Sequence, residues 1–402
     1  MAKIFKILFL LLFLISFAGA AGASENYNSA VKSINHFALR AAKLFDINNS
    51  YFLSPYSIVT ALGMAYAGAD GATAKEFQDN LLFNNNLHEQ LGALSDALTQ
   101  DFNGKYNRPL LTCANKIWLS ENLRLNKNFS NILEQAYKSS AKTLDFAGKP
   151  EQAKNFINRW VEENTNQRVK NLLNNITPDT QMILTNAIYF NGKWAREFNE
   201  KLTAKKPFHV NKLDKLEVDM MMRQGRMDYC ENERIKLLRL PYTGRLSMIL
   251  MMPKDINDDI SAVINELADF NFNFDELLNG LSEYNVDLWL PKFKTERRYE
   301  LKDILTGLGL VSAFSNNADF SAMIDNKDLK LKIDAVIHKT FIEVNEKRTE
   351  AAAASAVVMT RTTAAMPRPV PKAEFHADRP FMYFIVSDDF RAILFMGMQN
   401  FK

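Results

Sequence analysis

The sequence predicts an α+β fold in a single structural unit. After an apolar stretch at residues 1–23, apolar residues at helical spacing dominate the first third of the chain. Strand-like segments dominate the last part, and the region between them is mixed. Helices followed by strands, rather than a strict alternation of the two, is the order typical of α+β proteins. No internal repeat or low-complexity linker divides the 402 residues, so one large domain is favoured over two.

The predicted helices share apolar residues spaced three and four apart. They are Ala30–Leu44, Ser57–Tyr66, a helix opened by Thr73 and Glu76 at the spacing of a capping box, Leu87–Leu98, helices within Gln152–Leu173, and Leu301–Leu308.

The predicted strands are apolar or alternate between polar and apolar residues. They are Leu110–Leu119, Met182–Phe190, Leu237–Tyr242, Leu246–Met252, Val286–Leu290 and the strand-rich segments Lys330–Val344 and Phe381–Met396. Thr243-Gly244, between the third and fourth of these strands, predicts a hairpin turn.

Residues 1–23 predict a secretory signal peptide. Two lysines precede the apolar run Ile7–Phe17, and small residues follow it, so cleavage is expected after Ala20 or Ala23. The run is too short to be a membrane anchor, because a spanning helix takes about 20 apolar residues. We therefore expect a secreted, extracellular protein whose folded domain is residues 24–402.

Charge and motif content exclude several classes of function. The net charge of +3 falls to +1 when the two lysines of the leader are removed, which supports neither a nucleic-acid nor a membrane partner. No nucleophile elbow, zinc-protease motif, phosphate loop or Cys-x-x-Cys is present. The histidines, which show no metal-ligand spacing, are His36, His88, His209, His338 and His376. We expect no metal, no cofactor and no enzymatic activity.

The cysteines and the glycosylation signals agree with secretion. Cys113 lies in an apolar segment and Cys230 in a polar one, and we favour two separate thiols over a disulfide. Asn48, Asn128 and Asn175 each begin an Asn-x-Ser/Thr triplet, which predicts three glycosylation sites in an extracellular protein.

One segment near the end of the chain commits to neither helix nor strand. Glu346–Val358 (EKRTEAAAASAVV) begins with charges and four consecutive alanines, which alone would favour a surface helix, and ends with strand-forming residues. It resembles the reactive-centre hinge of the serpin family. Further matches follow the family order along the chain: Asn49 with Ser54–Ile58 (SPYSI), Thr185–Trp194 (TNAIYFNGKW), Leu290–Phe293 (LPKF), Asn317–Ser321 (NADFS), Ile337–Thr340 (IHKT), Asp378–Phe381 (DRPF) and Phe395–Gly397 (FMG).

This resemblance implies one serpin-type domain, with helices around three β-sheets and an exposed reactive-centre loop at about residues 346–379. It also implies a monomer that inhibits a serine protease as a suicide substrate. In that reaction the protease cleaves the loop, forms an acyl ester, and is trapped when the cut loop inserts as a strand into the main sheet.

The hinge residues suit such an insertion. They are Thr349, Glu350, Ala351, Ala352, Ala353, Ala354 and Ser355. At strand period, Thr349, Ala351, Ala353 and Ser355 share one face with small side chains, whereas Glu350 lies on the other face. Small side chains pass between strands with little steric cost, and alanine loses almost no rotamer entropy.

The resemblance also implies roles for residues outside the loop. Ser54, Ser57, Asn186 and His338 correspond to the shutter, the hydrogen-bonded group beneath the main sheet. Trp194, Lys292 and Glu346 correspond to the breach at the top of that sheet, and we predict an ion pair between Lys292 and Glu346.

The scissile bond is expected in the middle of the loop. Arg361 is the strong specificity residue there, and trypsin-like proteases bind arginine through a buried acid, so Arg361–Thr362 is our first choice. Counting from Glu346 as the family does gives Thr362–Thr363 instead. Arg348 stands where inhibitors of the family usually have glycine. A second hypothesis therefore remains, that the protein is a non-inhibitory serpin that carries a ligand or acts in storage or signalling.

Overall fold

The structure is a computed structural model that describes residues 27–99, 111–121, 123–255, 257–267, 273–326, 329–347 and 370–402. Its α-helices are α1 (Asn28–Ala41), α2 (Pro55–Tyr66), α3 (Gly71–Leu81), α4 (Leu87–Thr99), α5 (Lys127–Tyr137), α6 (Pro150–Asn164), α7 (Ile260–Leu267), α8 (Phe274–Asn279) and α9 (Lys302–Gly307). The predicted helical segments in the first hundred residues are confirmed, with shifts of a few residues at their ends.

The strands fall into two hydrogen-bonded sets. They are β1 (Tyr51–Leu53), β2 (Leu111–Ser120), β3 (Ala141–Leu144), β4 (Met182–Phe190), β5 (Ala204–His209), β6 (Lys215–Glu231), β7 (Ile235–Pro241), β8 (Leu246–Pro253), β9 (Ser282–Pro291), β10 (Phe293–Glu300), β11 (Ala335–Val344), β12 (Lys372–His376), β13 (Phe381–Ser387) and β14 (Ile393–Gln399). The predicted hairpin is present as β7 and β8, which pair antiparallel.

The α+β class is confirmed, but the three predicted sheets appear as two ladders. A nine-stranded set has the order β1-β14-β13-β8-β7-β6-β9-β12, with β5 also paired to β6, and a five-stranded set has the order β10-β11-β4-β2-β3. The reason is the length of β6, 17 residues, which pairs with β5 at one end, with β9 along its middle and with β7 at the other end. One long strand thus joins two sheets into a continuous ladder.

A strand of the five-stranded sheet, β4, is buried along its whole length. Every residue of β4 is buried, which agrees with its near-continuous apolar sequence, MILTNAIYF. One face of the sheet packs on the main hydrophobic core, and α6 covers the other through a smaller apolar cluster. Trp118, Ile157, Val161, Ile183 and Ile337 belong to this second cluster.

Helix α2 passes through the main core and presents its first turn to the sheet. Ser54 caps it by accepting a hydrogen bond from the Ser57 N–H, and Pro55 occupies the first turn, where its missing N–H costs nothing. All residues of α2 except Thr60 are buried, as expected for a helix that is apolar on every side.

The predicted capping box is wrong. Helix α3 begins at Gly71, and its cap is Asp70, whose carboxylate accepts from the Gly71 N–H. Thr73 and Glu76 lie within the helix and bind another segment instead. Thr73 Oγ1 accepts from the Asp319 N–H at 2.9 Å, and the Glu76 carboxylate accepts from two backbone N–H groups, of Val311 and Ser312, at 2.8 Å each.

Two segment predictions are too long. Within Gln152–Leu173 only α6 is helical, and it ends before Thr165. The chain cannot continue as a helix beyond that point, because three residues there have positive φ angles: Asn166, Gln167 and Asn171. Within Lys330–Val344 the strand begins at Ala335. Just before it, the Asp334 carboxylate accepts from the Gln181 and Met182 N–H groups, which ties the starts of β11 and β4 together.

Candidate functional site

The centre of the candidate site is the junction of β4 and β11. These strands run parallel, with Ala335 opposite Ile183 and Phe341 opposite Tyr189. Their outer neighbours, β2 and β10, each pair antiparallel to them. A new strand that entered between β4 and β11 and ran back from the end of β11 would therefore be antiparallel to both. The part of the chain that follows β11 is the predicted reactive-centre loop.

The predicted shutter residues meet at this junction in one buried network. His338 lies directly opposite Asn186 in the register of β11 and β4. The Ser54 N–H donates to His338 Nε2 at 3.1 Å, so the imidazole proton is on Nδ1 and is donated to Asn186 Oδ1. Asn186 Nδ2 in turn donates to the Ser57 carbonyl at 2.6 Å. The network connects helix α2 to both strands.

The histidine of this network is neutral at physiological pH. Burial lowers the pKa of His338 to about 3, against the hydrogen bond with Asn186, which works to raise it. A neutral imidazole can accept at Nε2 and donate at Nδ1 at the same time, as this network requires. Protonation would replace the acceptor by a second donor facing the Ser54 N–H.

Sequence analysis missed one member of the network, Asn115. It lies on β2 opposite Asn186, and its side-chain oxygen lies 2.6 Å from Asn186 Nδ2 and 3.1 Å from Ser57 Oγ. The available signal was an amide side chain within the apolar run of the predicted strand, a position where a polar group requires a hydrogen-bonded partner.

The predicted breach residues meet at the end of β11. Lys292 Nζ lies 3.0 Å from Glu346 Oε2, so the predicted ion pair is present. Trp194 donates from Nε1 to the Asn345 carbonyl at 2.9 Å and stacks on Tyr242 with ring centroids 4.3 Å apart. The Phe198 N–H donates to the Glu346 carbonyl at 2.9 Å. The segment that enters the loop is therefore fixed to the chain that follows β4.

Glu346 is the most buried charged group of the breach. Burial works to raise the pKa of its carboxyl, but hydrogen bonds from its own N–H, from Thr203 and from Lys292 outweigh that effect and hold the pKa below its usual value. Thr203 Oγ1 donates to Glu346 Oε1 at 2.8 Å, a contact that sequence analysis did not predict. One residue further on, Lys347 pairs with Glu200 at 2.8 Å.

Several predicted features lie outside the described residues. These are the signal peptide, Arg348, the hinge residues 349–355 and both candidate scissile bonds, at 361–363. The three asparagines of the predicted glycosylation sites, Asn48, Asn128 and Asn175, are exposed.

Two further observations concern the rest of the site chemistry. Cys113 and Cys230 are free thiols, as the sequence favoured. Within the described ranges no group of three or more potential ligands is placed to hold a metal, and none of the helices there has the length and apolarity to cross a membrane.

Comparison with known proteins places this geometry in a family. The sequence profile described as Serpin (serine protease inhibitor) matches residues 32–400. The chain belongs to the serpin family. This identification agrees with the α+β fold.

Two curated serpins illustrate the sequence similarity. An uncharacterized serpin-like protein of Methanosarcina mazei is 39% identical over 361 residues, which cover 88% of this chain and 81% of that protein. The leukocyte elastase inhibitor of Xenopus laevis is 35% identical over 385 residues, which cover 93% and 98%.

Two solved structures illustrate the similarity of fold. Serpin48, a highly specific serpin of the insect Tenebrio molitor, has a TM-score of 0.78 at 29% identity, covering 93% of this chain and 98% of that one. Human thyroxine-binding globulin, solved in complex with thyroxine, has a TM-score of 0.77 at 26% identity, with the same coverage. The proteins similar to this chain thus include an elastase inhibitor and a thyroxine-binding globulin.

Proposed function

We propose that this serpin is a secreted suicide-substrate inhibitor of trypsin-like serine proteases. The observation that carries the proposal is the parallel pairing of β4 and β11, since the predicted reactive-centre loop follows β11 in the sequence. A strand that entered there would exchange one parallel ladder for two antiparallel ones. Each hydrogen bond gained is worth about 1 kcal/mol, so an inserted strand of matching length is strongly favoured.

The chemistry begins at the loop. The protease serine attacks the carbonyl of Arg361, the Arg361–Thr362 bond breaks, and the new amino terminus departs while Arg361 stays bound to the serine as an ester. The freed segment from Thr349 onwards then enters between β4 and β11 and carries the protease with it. Distortion of the protease active site slows deacylation, since the loss of one oxyanion-hole donor costs about a hundred- to a thousand-fold in rate.

The described contacts indicate what must open for insertion. At the breach, the strand begins beside Glu346, whose contacts with Lys292 and Thr203 hold the start of the loop. Further down, the hydrogen bond between His338 and Asn186 crosses the junction that the new strand would occupy. Both groups lie in the path of insertion, which supports a role in controlling it.

Secretion, glycosylation and the monomeric state belong to the same proposal. Residues 1–23 have the composition of a cleaved leader, and the three acceptor asparagines are exposed. Expression in a secreting eukaryotic host tests secretion and glycosylation. We expect a mature protein that begins at residue 21 or 24 and loses mass on treatment with an N-glycosidase. Retention of the leader would contradict them.

A second candidate function is a non-inhibitory serpin. Arg348 at the start of the hinge favours it, because arginine lacks the backbone freedom of the glycine that family inhibitors usually have there. The fold similarity to human thyroxine-binding globulin, which was solved in complex with thyroxine, supports this alternative.

One experiment separates the two functions. The protein is mixed with trypsin and analysed by SDS gel, with mass spectrometry of the released peptide to locate the cleaved bond. The inhibitor reading predicts a covalent band at the summed mass, with release of a peptide that begins at Thr362. Clean cleavage without such a band would support the non-inhibitory reading.

A further inference from the structure

Two arginines beside the breach lie close together on one face of β6. Arg223 lies on that strand and retains 9% of its surface exposed, whereas Arg196, in the segment between β4 and β5, is exposed. Gly225 brings them together. A Cβ atom at Gly225 would lie 2.9 Å from Arg196 Nη1, so the missing side chain lets that guanidinium pack over the strand. Residues 223 and 225 are two apart in the strand and therefore lie on the same face.

Most of the donors of the buried guanidinium lack a good acceptor. Arg223 Nη1 donates to the Arg196 carbonyl at 2.5 Å, and Nη2 donates to Met227 Sδ at 3.5 Å, which is a weak acceptor. Arg223 Nε is buried and has no partner. The Phe198 ring, 4.8 Å from Arg223 Cζ, supplies a cation–π contact.

The charge of Arg223 persists at physiological pH. Burial, followed by the positive charge of Arg196, lowers the pKa of Arg223 to about 10, which leaves it protonated. A buried cation without a counter-charge is costly, and a second cation beside it increases that cost. An anion bound between the two guanidinium groups would offset both effects.

The neighbouring carboxylates do not serve as that anion. Glu197 pairs with Lys193 at 3.3 Å, Glu200 pairs with Lys347 and Glu346 pairs with Lys292. Across the described part of the chain, no ion pair includes Arg196 or Arg223. The positive charge is therefore left for a ligand from solution.

We propose that Arg196 and Arg223 form a binding site for a small oxyanion of the phosphate or sulfate class. Planar guanidinium groups match the geometry of such oxyanions and bind them through paired N–H donors. The exposed Arg196 provides access from solvent, and Arg223 provides the buried donor Nε. This site goes beyond the proposed inhibitory function and does not depend on it.

The test is thermal unfolding of the full mature protein during titration with inorganic phosphate at constant ionic strength. A ligand that binds only the folded state raises the midpoint in a saturable manner. We expect such a rise in the wild type, its loss in Arg196→Met and Arg223→Met, and its retention in Arg159→Met, which removes an exposed arginine on α6. Calorimetric titration with phosphate should give one site per chain in the wild type.

Three results would overturn the proposal. The first is the absence of a saturable rise in the wild type. The second is an equal rise in all four proteins, which would indicate a general salt effect. The third is a saturable rise of the midpoint in Glu350→Gln but not in the wild type. Glu350 is the one carboxylate in residues 348–369, so this result would mean that the chain's own carboxylate occupies the site. Should Arg223→Met fail to fold, Arg196→Met decides, because its side chain is exposed.

Discussion

His338 and Asn186 face each other across the parallel pair β11 and β4, and the imidazole donates its Nδ1 proton to the amide oxygen. This hydrogen bond joins the two strands that a cleaved loop would have to separate. It also depends on the protonation state of His338, since Nε2 accepts from the Ser54 N–H. The stability of the junction is therefore coupled to pH.

Acid should destabilise the protein through this residue. The pKa of His338 is lowered to about 3 in the folded state, against about 6.5 for an unfolded histidine, so the unfolded chain binds the extra proton between these values. The contribution of neutral His338 to the free energy of unfolding is complete above pH 6.5. It is lost as the pH falls from there towards 3, at about 1.4 kcal/mol per pH unit. Urea unfolding at pH 7, 6 and 5 measures this loss.

The matched variant for that measurement is His338→Gln, whose side chain does not titrate. We expect it to be less stable than wild type at pH 7 and to lose stability less steeply below pH 6.5. Burial also lowers the pKa of His88, to about 4, so His88→Gln should remove a separate part of the slope. An unchanged slope in His338→Gln would contradict the assignment of a neutral, hydrogen-bonded imidazole.

The breach pair should respond asymmetrically to substitution. The Glu346 side chain is 8% exposed and that of Lys292 is 38% exposed. Lys292→Met leaves a buried carboxylate without its cation and should cost about 1–3 kcal/mol of the free energy of unfolding. Glu346→Gln keeps an acceptor for Thr203 and leaves a lysine that solvent can reach, so it should cost less, about 1 kcal/mol or below. Denaturant unfolding of both variants and of the double variant gives the coupling energy; a coupling of zero would show that the pair is not stabilising.

Arg348 provides a direct test of the choice between the two functions. Arg348→Gly restores backbone freedom at the point where the loop must turn into the sheet. If insertion is slow because of the arginine, the variant should form more covalent complex per serpin molecule cleaved by trypsin than wild type does. Titration of trypsin activity gives this stoichiometry. The same stoichiometry in both proteins would show that Arg348 does not limit insertion.

The features that the sequence predicts correctly are those with a local pattern or a family motif. The strand Met182–Phe190 was predicted to the residue, because an apolar run of that length with branched side chains has few alternatives. The shutter and breach residues came from the resemblance, and the structure brings each group together.

The failures involve contacts between distant segments. Thr73 and Glu76 have the spacing of a capping box, yet their side-chain oxygens accept hydrogen bonds from residues more than 200 positions later. The helix is capped by Asp70 instead. Asn115 binds Asn186 in the shutter, and Thr203 binds Glu346 in the breach. Each lies far from its partner in the sequence, so no local pattern predicts the contact. The buried guanidinium of Arg223 has no sequence signal either, because burial is a property of the assembled fold.

The face of the inserting strand gives the sharpest test of the mechanism. At strand period Ala353 lies on the face shared with Thr349 and Ala351, and Ala352 lies on the face shared with Glu350, which is already charged. Ala353→Glu would bury an unpaired carboxylate on insertion, whereas Ala352→Glu would place it towards solvent. We expect Ala353→Glu to be cleaved by trypsin without a covalent band and to show no rise in melting temperature after cleavage. Ala352→Glu should retain both the band and the rise, and identical behaviour of the two variants would argue against insertion as a strand.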